Sequence, residues 1–432
     1  MKIRMITTFF GAHSFGGDAA YVERLSQALV ERGHEVHVHY CVDAFNAVRG
    51  DHPTRDYTPP PGLAIHPLKS PLGVLSPIAT QATGQPWLKG ALVREALDDP
   101  RTDVLHFHNI SLVGGPGILA LGANRRAARI MTAHEHWLIC PMHLLWKNGR
   151  QPCDKPECVR CMLKGGRPPQ AWRATGAVER GLARLDALLF PSRHALEEHR
   201  ARGLGRAVPL VHLPYFLPDD WSRGLEDEPF PGHEPPYLAA AGRLVEMKGF
   251  QRLIPLMKYL PEVELRIAGT GPFEHTLRAM AADLPNVRFL GLLPGRRLAR
   301  LFHGARAVVV PSLFPETFGY VVLEAFAVGT PVIVHAGGGA LHETGVESGG
   351  GLGYRTDVEL VTAMRRLVHD PTLRAELAEN GLAARRGPWS EQAHLDAYFR
   401  LIAGTRPDRV ISPLAGPHAW RMAARMPRAV PD

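Results

Sequence analysis

The sequence predicts an α/β protein built from two doubly wound, Rossmann-like parallel sheets that face each other across a cleft. Three observations lead there. Short apolar runs alternate with helical segments along most of the chain, the pattern that builds parallel sheets through helical crossovers. The alternation stops over residues 217–236, LPDDWSRGLEDEPFPGHEPP, where prolines, glycines and acids cluster, and then restarts. The length of 432 residues exceeds what one core usually serves, so two domains are expected.

The first domain is read over residues 1–218. KIRMITTFF, from Lys2 to Phe10, is a buried strand, followed by the glycine loop Gly16-Gly17. Tyr21, Val22, Leu25, Leu29 and Val30 recur at helical spacing between Ala19 and Arg32. Gly33 then stands where a helix usually ends. HEVHVHY is the second strand, and VLHFHN, RIMTAH, ALLFPS and PLVHLP are later ones. The second domain is read over residues 219–403. Its strands are PYLAAAG, VELRIAG, NVRFLG, AVVVPS and PVIV. Its helices lie around PLMKYL, HTLRAMAADL, RRLARLFHGA and GYVVLEAFAVG. A last amphipathic helix, Ser390 to Ile402, caps the second domain or crosses back to the first. The basic, proline-containing tail over residues 404–432 is expected to be disordered, or to rest on anionic lipid headgroups.

Composition narrows the function classes. Hydrophobic content of 45% and charged content of 21% describe an ordinary globular protein. No apolar run approaches the roughly 20 residues that span a bilayer, and the N-terminus lacks a signal-peptide pattern, so a cytoplasmic protein is expected. The net charge of +8 suits phosphorylated small molecules or an anionic membrane surface. Without a continuous Lys/Arg block or an RNA-binding signature, nucleic acid is set aside.

The stretch FPETFGYVVLEAFAVGTPVIV carries two carboxylates, Glu316 and Glu324, in an otherwise apolar run. Glu316 falls just past the carboxyl end of AVVVPS, where open α/β sheets bind ligands. Phe318, Gly319, Tyr320 and Val321 open the next helix, whose free N–H groups suit a diphosphate. Glu324 lies further into that helix and leans back toward the cleft. Carboxylates repel a diphosphate, so they are assigned to sugar and ribose hydroxyls. Arg243 and Lys248, in GRLVEMKGF, are the cations that balance the phosphates. Gly269 and Gly271, in IAGTGP, let backbone approach a nucleobase closely.

Together GRLVEMKGF, IAGTGP and PETFGYVVLEAFAVGTPVIVHAGGGALHE resemble the retaining glycosyltransferases of family 4, which have the GT-B fold. ERGHEVHVH, DVLHFHN, TAHEHWLICP and the Gly16-Gly17 loop extend the likeness over about residues 1–402. The resemblance implies a nucleoside-diphosphate-sugar donor, transfer with retention, a saccharide or lipid-linked saccharide acceptor, and no metal cofactor for catalysis. It places Glu316 on the donor sugar, Glu324 on the ribose, and Arg243 and Lys248 on the leaving diphosphate. Gly17 would close on the phosphates and His134 would sit over the donor sugar. His108 and Glu135 fall on the acceptor side, Glu135 standing where relatives commonly have Asp, and Glu343 falls near the donor. The favoured mechanism is front-face attack assisted by the leaving phosphate. Two other readings are a sugar-nucleotide epimerase of related fold and a non-catalytic nucleotide-sugar-binding protein.

Cys140, Cys153, Cys158 and Cys161 are spaced C-x12-C-x4-C-x2-C within an insertion over residues 140–166. In a cytosolic protein such a set reads as a metal site before it reads as disulfides. Structural zinc is expected, with an iron–sulfur cluster as the alternative.

Overall fold

The computed structural model describes residues 1–122, 126–225 and 235–405. Fifteen strands fall into three sheets. In the first domain these are β1 (Lys2–Thr7), β2 (Glu35–Cys41), β3 (Leu63–Leu68), β4 (Val104–Phe107), β5 (Ala128–Thr132), β8 (Ala187–Phe190) and β9 (Leu210–His212). They form one parallel sheet in the order β3-β2-β1-β4-β5-β8-β9. Strands β6 (Trp146–Lys147) and β7 (Gln151–Pro152) make a separate antiparallel hairpin. The second sheet joins β10 (Tyr237–Ala241), β11 (Glu264–Ala268), β12 (Val287–Phe289), β13 (Val308–Val310), β14 (Val332–His335) and β15 (Gly351–Tyr354). Its order is β12-β11-β10-β13-β14-β15.

The strands read as continuous apolar runs because both faces are covered; all six residues of β1 are buried. Helix Gly17–Glu31 presents Tyr21, Val22, Leu25, Ala28 and Leu29 to the sheet. It ends as expected: the Gly33 N–H donates to the Val30 carbonyl and the His34 N–H to that of Leu29, with Gly33 at φ 78°. Both sheets reverse their strand order beside the first strand of their domain, and the loops there open toward the same cleft.

One hydrophobic cluster joins the two domains. Tyr21 and Tyr215 of the first share it with Phe318, Phe326 and Trp389 of the second. The last helix, Glu391–Thr405, packs on the first domain. There His394 is hydrogen-bonded to the Tyr21 hydroxyl (3.2 Å) and to the Pro214 carbonyl (2.7 Å). Tyr398 meets His106 at 3.3 Å, and Arg32 donates to Glu391 at 2.8 Å. Apart from the short β6–β7 hairpin, the strands without a clear signature in the sequence are β3 and β15, edge strands containing Pro67 and the glycines Gly351 and Gly353. An edge needs no continuous apolar run. The tail beyond residue 405 and part of the inter-domain segment, residues 226–234, lie outside the described residues.

Candidate active site

The loops at the carboxyl ends of β10, β11 and β13 form the second domain's side of the cleft. Gly269, at φ 138°, packs so closely that a Cβ would stand 1.9 Å from the Gly242 carbonyl oxygen. At Gly271 a Cβ would stand 2.3 Å from the Leu244 oxygen. These glycines let the β11 loop lie against the β10 loop, which carries Arg243 and Lys248. The requirement the structure displays is therefore backbone against backbone.

Glu316 is held at both ends of its residue. Its N–H donates to the Gly338 carbonyl (3.1 Å), and its own carbonyl accepts from Ala340 (2.9 Å). Its carboxylate receives the Lys248 ammonium at 2.5 Å and the Ser312 hydroxyl at 2.7 Å. The acid and the cation thus form one unit, and Lys248 offsets the charge that Glu316 would otherwise set against a diphosphate. Arg243 is exposed to the cleft. Arg49, at the end of a first-domain helix, faces it from the other side: partial burial and then Arg49 lower the Arg243 pKa.

Glu324 lies in the second turn of helix Tyr320–Phe326. Burial pushes its carboxyl up, against the pull of Arg24, whose guanidinium reaches across from the first domain at 3.4 Å. Arg24 also lies over the Tyr320 ring, 4.5 Å from its centre. Phe318 and Tyr320 pack on Tyr215, with ring centres 4.9 and 5.2 Å away. Gly17 closes on this cluster, where a Cβ would come 3.3 Å from Tyr320. Gly319 takes a left-handed conformation (φ 91°) that side chains rarely adopt, and a Cβ there would press on the end of the Leu341 side chain at 2.5 Å. Val321, on the helix's first turn, is half-buried.

The histidines past β4 and β5 line up behind the cleft. His108 Nδ1 meets His134 Nε2 at 2.9 Å, and His134 Nδ1 is hydrogen-bonded to the Tyr215 hydroxyl. Both ring nitrogens of His134 are occupied within the protein, and burial lowers its pKa to about 3. The ring packs against those of His108 and Tyr215. The part of His134 that meets the second domain is its carbonyl, which accepts from the Thr317 hydroxyl at 2.8 Å. Ser192 and His136 add further stitches, to the carbonyls of Thr317 (2.7 Å) and Pro315 (3.1 Å). Glu343 meets the start of helix Arg193–Ala201 across the interface. It accepts from the N–H groups of Arg193 (3.1 Å) and His194 (3.0 Å).

Two further acids border the acceptor side. Asp18 starts the first-domain helix and accepts from the Asn109 amide. Burial, and then the nearby Glu135, raise its pKa to about 6. Glu135 itself receives His143 Nδ1 at 2.6 Å. Asp18, Arg24, Arg49, Thr317 and Ser192 had no distinguishing pattern in the sequence, since each matters through a partner in the other domain or in a distant loop. The four insertion cysteines are free thiols that border one small cavity.

Comparisons with known proteins fit this architecture. The family model described as Glycosyl transferases group 1 matches residues 225–383, and that described as Glycosyl transferase 4-like domain matches residues 16–215. A lipopolysaccharide core biosynthesis glycosyltransferase of Rhizobium meliloti is 36% identical over 39% of this chain and 50% of its own length. A GDP-mannose-dependent monoacylated phosphatidylinositol monomannoside mannosyltransferase of Corynebacterium glutamicum is 31% identical over 53% of this chain and 63% of its own. The chain thus spans about half to three-fifths of these two relatives. A D-inositol 3-phosphate glycosyltransferase of Pseudarthrobacter chlorophenolicus is 28% identical over 91% of this chain and 92% of its own. Sucrose-phosphate synthase from Thermosynechococcus elongatus superposes with a TM-score of 0.66 at 20% identity, covering 93% of this chain and 99% of its own. Anabaena Alr3699/HepE, solved with UDP, gives 0.62 at 17%, covering 94% and 100%. With both halves matched and the two facing α/β domains superposed, the chain belongs to the group 1 glycosyltransferases of GT-B fold.

Proposed function

We propose that this protein is a retaining glycosyltransferase that moves a sugar from a nucleoside-diphosphate sugar to an acceptor hydroxyl, in surface polysaccharide or glycolipid assembly. The observation that carries this reading is the Lys248–Glu316 pair, with Arg243 on the same loop, at the carboxyl ends of the second sheet's strands. Preorganised cations at the leaving diphosphate supply the electrostatic stabilisation such a transfer needs. Glu316, fixed by Lys248 and Ser312, keeps acceptor capacity for donor-sugar hydroxyls. Glu324 serves the ribose once Arg24 shifts or shares it. With His134 neutral and internally bonded, proton removal from the acceptor falls to the leaving phosphate, consistent with front-face attack. No catalytic metal is assigned.

The acceptor side supports a lipid-linked saccharide used at an anionic membrane face. Leu72, Leu75, Ile78, Trp87 and Leu92 are exposed on and beside two neighbouring helices of the first domain, and Lys69 and Arg94 are exposed in the same stretch of chain. Such a surface suits peripheral binding to acidic lipids. No helix among the described residues is long and apolar enough to cross a membrane.

The test is a thermal-shift screen of UDP-, GDP-, ADP- and dTDP-sugars, since a donor that binds the native state raises its melting temperature. Product analysis with the stabilising donor follows. Transfer with the donor's anomeric configuration kept supports the reading. Isomerised donor without any acceptor would instead identify an epimerase, and binding without turnover a non-catalytic protein. Sedimentation with phosphatidylglycerol vesicles but not phosphatidylcholine vesicles tests the membrane face.

A further inference from the structure

We propose that Cys140, Cys153, Cys158 and Cys161 hold one structural zinc ion that locks the insertion against the acceptor side of the cleft. The four residues come from separate pieces of chain: the turn after His136–Leu138, the end of the β6–β7 hairpin, and the first turn of helix Cys158–Lys164. The fold brings all four to the lining of one cavity. That cavity has room for roughly one water-sized sphere, the space a single ion needs. Among the described residues, no group of three or more His, Cys, Asp or Glu side chains is placed to hold a metal ion as it stands. The four cysteines share the lining of one cavity, and binding requires their side chains to turn onto a single ion in tetrahedral geometry.

Two independent observations ask for such a tie. Among the described residues, the non-glycine residues with left-handed backbone are His143, Leu145 and Asn148, and all three lie between Cys140 and Cys153. Strained backbone of this kind persists where the surroundings over-determine it. Yet the segment has little core of its own: helix Cys158–Lys164 buries Met162 and leaves Val159 and Leu163 exposed. The second observation is local. The Asn148 N–H donates to the Cys161 sulfur at 3.3 Å, which ties that sulfur to the loop carrying the left-handed residues. On zinc binding each thiol gives up its proton. The half-buried Arg173 guanidinium lies over the rings of Trp137 and Trp172 and donates to the carbonyls of Trp137 (2.8 Å) and Leu138 (3.3 Å), just before Cys140.

The consequence reaches the cleft. His143, inside the tied loop, donates to Glu135 at 2.6 Å and is bonded on its other nitrogen to Arg167. The His143 carbonyl also accepts from the His136 N–H at 2.9 Å. A closed metal site would thus fix Glu135 without touching the donor.

The test is elemental analysis of full-length protein purified without added metal. One zinc per chain is expected, dropping at least fivefold in Cys158→Ser/Cys161→Ser and staying unchanged in Cys41→Ser, which removes the fifth, distant thiol. Cobalt-exchanged protein should show the visible bands of a tetrahedral thiolate site, and stripping zinc from the wild type with a chelator should open residues 141–167 to protease. Folded protein with less than about a tenth of a zinc per chain would overturn the proposal. So would iron with absorption near 400 nm, or zinc that survives the double substitution.

Discussion

Replacing Asp18 by asparagine should leave stability unchanged near pH 4 and raise it above pH 6. The Asp18 carboxyl starts a helix at the cleft, buried beside Glu135, with a folded pKa of about 6 against 3.8 for the free side chain. A raised folded pKa means that the native state binds the proton more tightly than the unfolded chain. The stability this brings is complete below pH 3.8 and is lost as pH rises through 6. The two values differ by about two decades in proton affinity, so at about 1.4 kcal/mol per decade the ionised form costs up to about 3 kcal/mol. Asp18 keeps part of its surface at the cleft, so a difference of about 1–3 kcal/mol is expected. Asparagine keeps an acceptor for Asn109 and carries no charge. Melting temperatures of both proteins, measured from pH 4 to 7.5, should diverge by a few degrees at the upper end. A difference that does not change with pH, or a variant less stable at pH 7.5, would refute the assignment of this buried charge.

Three further outcomes test the site. Lys248→Ala and Glu316→Ala should each lower transfer at least about a thousandfold, the scale of losing a preorganised charge stabiliser, while circular dichroism stays native; wild-type turnover in either would remove the pair from the mechanism. Gly269→Ala forces a Cβ 1.9 Å from the Gly242 oxygen and should cost more than about 3 kcal/mol. Gly291→Ala, also at positive φ (68°) but facing open space, should cost about 1 kcal/mol; equal melting temperatures for the two would mean the loop contact is unimportant. Arg24→Ala leaves Glu324 buried without its cation and should destabilise by about 1–3 kcal/mol. Glu324→Gln should relieve most of that loss in the double variant, a coupling that a thermodynamic cycle measures.

The fold was legible where residues are buried on both sides. β1, β10, β13 and β14 announce themselves as apolar runs because each is a central strand covered by helices. β3 and β15 do not, because an edge strand tolerates Pro67 or a glycine pair. At the site, Glu316, Lys248 and Arg243 were visible from spacing, since each follows a strand end by a fixed short count. The pairing of Lys248 with Glu316 was not, because it depends on two loops 68 residues apart meeting at 2.5 Å. His134 shows the other limit. Its position after β5 was plain, but the direction of its ring is set by His108 and Tyr215, which only the folded packing brings near. Glu343 likewise spends its carboxylate on a helix from the other domain, a contact no local pattern encodes.

The return of the last helix to the first domain constrains how this molecule can move. The chain passes between the domains once after Leu213 and again before Glu391, and the two passages touch: His394 bonds the Pro214 carbonyl, and Arg385 donates to the carbonyls of Leu217 and Pro218. Two adjoining passages make a door with both hinges on one side. The domains are also joined by the bonds of Ser192 to Thr317, of Thr317 to His134 and of Arg193 and His194 to Glu343, so any parting of the domains along another edge must break these first.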